Sequence, residues 1–125
     1  MNLDKVISGF FIILAMTLNF GFFYGDMESL AAHSKYELFI AIVVNLIATI
    51  LKLGDKTQIG SVLLATSLVA DLQLIAAAIV WTIVVYSSTM TSETMTVIVS
   101  LSGGALLANI ISVTLYVGDT LKSKR

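Results

Sequence analysis

A bundle of four transmembrane helices, forming one domain over residues 1–125, is the fold class this sequence predicts. Three observations carry that expectation. Hydrophobic residues make up 58% of the chain and charged ones only 12%; the apolar residues gather into four long runs; and no proline interrupts them. That balance lies far from the composition of soluble domains. Continuous runs of this length suit helices, because a barrel strand would need only about ten residues of alternating polarity. The expectation is an all-α membrane protein surrounded by a lipid bilayer.

The first run, 6–24, follows Lys5 and ends on Phe22, Phe23 and Tyr24. It is too long for the apolar part of a signal peptide, and acidic residues precede the small-residue triplet Ser29-Leu30-Ala31, so it is read as a retained span. The second run, 36–53, is shorter and carries Lys52 near its end, from where a long side chain is expected to snorkel to the headgroups. Gly54-Asp55-Lys56-Thr57-Gln58 then forms a tight turn, in which the glycine supplies backbone freedom and Asp55 or Thr57 caps the next helix. The third run, 59–86, would be about 42 Å long at 1.5 Å per residue, more than a hydrocarbon core of about 30 Å requires. It must tilt, project beyond the bilayer or break near its start. The fourth run is 95–117.

With four spans, both termini and the loop after Lys52 share one side of the membrane. That side holds Lys5, Lys52, Lys56, Lys122, Lys124 and Arg125, while the other holds only Lys35. Excess positive charge marks the cytoplasmic face, so both termini are expected in the cytoplasm. The opposite loops carry Asp26, Glu28, Glu37 and Glu93. Phe22, Phe23, Tyr24, Tyr36, Trp81 and Tyr86 cluster toward the outer ends of their runs, as interfacial aromatics do.

Several functions are excluded by what the chain lacks. A net charge of −1 with scattered basic residues offers no footprint for nucleic acid. Without cysteine there is no disulfide, thiol chemistry or cysteine metal site. The single histidine, His33, sits in an outer loop with Asp26 and Glu28 only loosely nearby, which is weak evidence for a metal or pH sensor. No Ser-His-Asp arrangement, phosphate loop or paired-histidine spacing occurs, so no enzyme, metal site or cofactor is expected.

The residue that calls for a function is Asp71, in Thr66-Ser67-Leu68-Val69-Ala70-Asp71-Leu72-Gln73-Leu74. A carboxylate within a bilayer span is costly and tends to line a wet or protein-filled interior, often in ion or proton handling. The other spans each carry one strong polar group, Asn19, Asn45 and Asn109. At 1.5 Å per residue, Asn19, Asn45, Asp71 and Asn109 lie roughly 20, 12, 18 and 14 Å from the cytoplasmic ends, all in the middle of the membrane. Facing inward they could form a hydrogen-bonded layer around Asp71, with Ser67 and Gln73 adding further polar groups. Alternatively, each asparagine bonds a neighbouring helix as packing glue, at about 0.6 to 2 kcal/mol. With Lys52 placed at the boundary, no cation is expected at the depth of Asp71, leaving a protonated structural acid or one reached by water and cations.

Small residues recur at four-residue steps in the fourth run, as Ser100, Gly104, Ala108 and Ser112. Such ladders let helices approach closely, either within one chain or between copies. Conduction favours a homo-oligomer, since four helices alone hardly enclose a wide path and several copies of Asp71 could form an acidic ring.

The segment Lys52-Leu53-Gly54-Asp55-Lys56-Thr57 resembles the E-x-G-D-K-T signature of a cation/proton exchanger family. Here Lys52 occupies the place of the essential acid, and no second copy of the motif is present. The whole chain resembles a family of small, uncharacterised four-span bacterial inner-membrane proteins, through Val6-Ile7-Ser8-Gly9-Phe10-Phe11-Ile12-Ile13-Leu14 and Gly54-Asp55-Lys56-Thr57-Gln58. That resemblance implies location and topology alone. Two functional expectations stand: proton or small-cation handling through Asp71 in an oligomer, or a non-conducting accessory subunit of a larger membrane complex.

Overall fold

The computed structural model describes residues 3–28, 35–54, 57–87 and 91–123. Ser29-Leu30-Ala31, His33, Asp55 and Lys56, on which expectations were placed, lie outside the described residues. The described regular structure is α-helical: α1 is Leu3–Glu28, α2 is Lys35–Lys52, α3 is Gln58–Ser87 and α4 is Ser92–Ser123. These helices outrun the apolar stretches, α2's C-terminal end excepted. Without proline, a helix ends only where a cap or turn ends it.

Both caps are threonines. Thr57 Oγ1 accepts from the Gly60 amide at 3.1 Å and opens α3, and Thr91 Oγ1 accepts from the Thr94 amide at 3.1 Å and opens α4. Each satisfies a donor that the first helical turn leaves free. α3 is one continuous helix of 30 residues, so of the three options for its length the break is eliminated.

Three helices are long and apolar enough to cross a membrane: Leu3–Tyr24, Gln58–Ser87 and Ser92–Lys122. This is what a membrane protein presents. α2 is shorter, with 18 residues, and holds Lys35, Glu37 and Lys52.

The helices pack as a ring, α1 against α2 and α4, α3 against α2 and α4, with α3 on α4 the most extensive contact. The exterior is apolar, as Phe10, Phe39, Leu68, Leu72, Ile83 and Leu107 show. Toward the Lys52 end the interior is polar instead, with Asn45, Thr49, Lys52, Ser67, Asp71 and Ser112 buried. This reverses the soluble pattern, in which polar residues cover an apolar core. α1 and α4 are clasped at one end, where Tyr116 donates to the Lys5 carbonyl at 2.6 Å and Lys5 pairs with Asp119 at 3.8 Å. The Tyr116 ring also lies against Gly9, where an added Cβ would meet it at 3.3 Å.

Toward the other end the core is apolar, with Phe22, Leu38, Leu74, Met95 and Ile98 buried together. Phe22 was expected among interfacial aromatics, but it is fully buried. Its ring lies 6.1 Å from that of Trp81, which draws Trp81 onto the core as well. An aromatic near a helix end buries more area by turning inward, and the cluster that Phe22 joins includes the small residues Ala41, Ala70 and Ala77.

Candidate functional site

The polar site is built from stripes on α2 and α3 and one serine of α4. On α2, Asn45, Thr49 and Lys52 recur at steps of four and three and so share a face. On α3, Ser67 and Asp71 are four apart, and Ser112 completes the set from α4. All six side chains are buried.

Lys52 does not snorkel. It is only 6% exposed, and its ammonium turns into the bundle to donate to the hydroxyl of Ser67, to that of Ser112 at 2.6 Å and to the Leu63 carbonyl at 3.4 Å. Three donors meet three acceptors, which is what a buried ammonium needs. Both serines have short side chains, which leave the space into which the lysine chain folds.

The expected lack of a cation near Asp71 is therefore overturned. Lys52 and Asp71 interact electrostatically, although no direct ion pair joins them. Asp71, 6% exposed, instead meets Thr49, whose Oγ1 lies 2.5 Å from Asp71 Oδ2 and 2.9 Å from the Asn45 carbonyl. One hydroxyl hydrogen cannot serve two acceptors fully. Both contacts are satisfied together when Asp71 carries a proton and donates to Thr49, which then donates to the Asn45 carbonyl. When Asp71 is ionised, Thr49 donates to it instead.

The asparagine layer forms only in part. Asn19, Asn45 and Asn109 are all buried at comparable levels, but the Asn45 amide donates to the Ala41 carbonyl of its own helix at 2.7 Å and not to Asp71. Five buried atoms have no hydrogen-bond partner among the described residues: both amide atoms of Asn19, Asn109 Nδ2, Gln73 Oε1 and Asp71 Oδ1. At about 1–3 kcal/mol for each unsatisfied group, their sum would rival the whole stability of a small domain.

The small-residue ladder is largely used within the chain. Ser112 holds Lys52, Ala108 is in the core, and Gly104 admits the Gln73 amide so closely that an added Cβ would lie 2.7 Å from it. Ser100 is exposed. At the clasped end, a cavity of about 240 Å³ lined by Lys5, Ser8, Lys52, Leu63 and Tyr116 reaches the polar site. No cluster of three or more metal-ligating side chains occurs among the described residues.

Thr49 and Lys52 are the site residues that sequence reasoning missed. Their shared face with Asn45 was the available signal, but the position of Lys52 at the end of an apolar run outweighed it.

The model of a family of unknown function, DUF6394, matches residues 32–120, well over half of the chain. The chain belongs to that family. No curated protein and no solved structure matches it. The DUF6394 match takes in Thr49, Lys52, Ser67, Asp71 and Ser112, with Asn19 outside it. It lends no support to the exchanger-like motif around Gly54. The family brings no activity to the site, which has to be read from its own chemistry.

Proposed function

We propose that this DUF6394 chain is a four-span protein of the bacterial inner membrane, with both termini cytoplasmic, that handles protons through Asp71. The observation that carries the reading is the Thr49 hydroxyl, held 2.5 Å from Asp71 Oδ2 and 2.9 Å from the Asn45 carbonyl. A hydroxyl between an acid and a carbonyl accepts from the protonated acid and donates to the ionised one. Asp71 can thus gain or lose its proton with a rotation of one side chain.

Protons fit better than metal cations, because the Thr49 hydroxyl offers Asp71 a hydrogen-bond partner in either protonation state. The Lys52 end has the cavity, whereas the far end is sealed by Phe22, Leu74 and Ile98. Asp71 is accordingly loaded from the cytoplasmic side, and release across the membrane requires the apolar layer to part. The test is proton flux in liposomes containing the purified chain. Asp71→Asn should abolish flux or change its pH dependence, and unchanged flux removes Asp71 from the mechanism.

A second reading, a non-conducting accessory subunit or homo-oligomer, is favoured by a groove of about 470 Å³ between α2 and α3, bordered by Tyr36, Phe39, Ile42, Trp81 and Tyr86. An apolar helix of a partner or a second copy would fill it. Gentle solubilisation that recovers the chain as a lone monomer counts against this reading.

A further inference from the structure

Two close contacts set the level of three helices. The Phe23 ring lies against Gly103, where a Cβ would come within 2.8 Å of it, and the Gln73 amide lies against Gly104. Toward the Lys52 end from that level, Asn19 is four residues below Phe23 on α1, Asp71 two below Gln73 on α3, and Asn109 five below Gly104 on α4. At 1.5 Å per residue these are descents of about 6, 3 and 7.5 Å. The residues that carry the five buried atoms without partners therefore lie on three helices within about 7.5 Å of each other along the bundle, under one and a half helical turns.

Asn19 decides what the layer holds, being 0% exposed with neither amide atom bonded. Together the layer offers three acceptor oxygens, on Asn19, Gln73 and Asp71, and two donor nitrogens, on Asn19 and Asn109. A cation asks for oxygens alone, whereas water both donates and accepts. At about three hydrogen bonds per buried water, five atoms call for about two waters.

We infer that the bundle binds an internal water cluster between Asn19, Asp71, Gln73 and Asn109, in contact with the Asp71 Oδ1 atom that Thr49 does not reach. Its role as the next step of a proton path rests on the function proposed above, whereas its existence does not. One carboxylate oxygen then exchanges with Thr49 and the other with water, so the two faces of Asp71 have different partners.

Water-edited solid-state NMR of the full chain in liposomes tests the site, reading magnetisation transfer from water to side-chain amides. Transfer to the Asn19 and Asn109 side chains should build up well ahead of that to the backbone amides of Leu74 and Ile98, both fully buried in the apolar core. Asn19→Leu should also cause loss of the fast transfer at Asn109, since the waters are shared. Asparagine amides no faster than Leu74 and Ile98 in the unaltered protein overturn the site, as does undiminished transfer to Asn109 in a folded Asn19→Leu variant. The unaltered chain decides the first point even where the variant does not fold. Dry amides beside an Asp71→Asn effect on flux reject the water and keep the proton role; wet amides with unchanged flux do the reverse.

Discussion

The ammonium of Lys52 at the end of α2 donates to the hydroxyl of Ser112, 60 residues further along the chain in α4, at 2.6 Å. With Ser67 this ties three helices to one charge, and Ser67 lies one helical turn from Asp71 on α3. Removing the ammonium leaves the buried Ser67 and Ser112 hydroxyls without their donor, at about 1–3 kcal/mol for each group left unsatisfied. Lys52→Met alone should therefore destabilise the bundle by that order. Lys52→Met combined with Asp71→Asn should recover part of the loss. Reversible unfolding in mixed micelles reads the cycle, and additive losses would show that the two residues act independently.

Thr49→Val keeps the shape of the side chain and removes the hydroxyl shared by Asp71 and the Asn45 carbonyl. Losing a hydrogen bond of this kind costs about 1–3 kcal/mol. Infrared spectroscopy should show an acid carbonyl band that disappears in Asp71→Asn, shifts in Thr49→Val and returns near its original position in Thr49→Ser. A band indifferent to Thr49 would break the link between hydroxyl and acid.

Glycines in α4 should respond oppositely to alanine. At Gly103 the new methyl would lie 2.8 Å from the Phe23 ring, whereas at Gly118 it meets nothing within 4 Å. Gly118→Ala should raise stability by about 1 kcal/mol, the helix propensity difference. Gly103→Ala should lower it, since overpacking typically costs about 1–3 kcal/mol. Equal effects in thermal unfolding would mean that α1 and α4 do not pack at Phe23.

Topology is open to direct measurement, because the chain contains no cysteine to confuse labelling. In sealed, oriented cells, Ser92→Cys should react with a membrane-impermeant maleimide from outside, and Gly54→Cys only after permeabilisation. External labelling of Gly54→Cys would mean that α2 does not cross.

The helices were legible because the forces that make them are local: apolar runs, lack of proline, and a threonine before α3. Asp71 was legible for the same reason, as a carboxylate in an apolar stretch needs no partner to be conspicuous. Its surroundings were not. Lys52 reads as a boundary residue from its position, and only the packing of α3 and α4 supplies Ser67, Ser112 and the Leu63 carbonyl that draw it inward. The fate of the asparagines likewise depends on rotamers, which is why Asn45 turned to its own helix while Asn19 met no protein partner. Phe22 turned inward to join an apolar cluster whose other members, Leu38, Leu74 and Ile98 among them, lie far along the chain.

Lys52 and Asp71 belong to consecutive helices joined by a short turn, while Ser112 is made much later. In the proposed topology, the α2–α3 hairpin therefore enters the membrane with two of the acceptors of the Lys52 ammonium, Ser67 and the Leu63 carbonyl, already on the neighbouring helix. The ammonium does not have to wait without acceptors for α4 to emerge from the ribosome. A late-arriving α4 then adds the third acceptor, Ser112, so the order of synthesis itself lowers the barrier that an ammonium without partners would face.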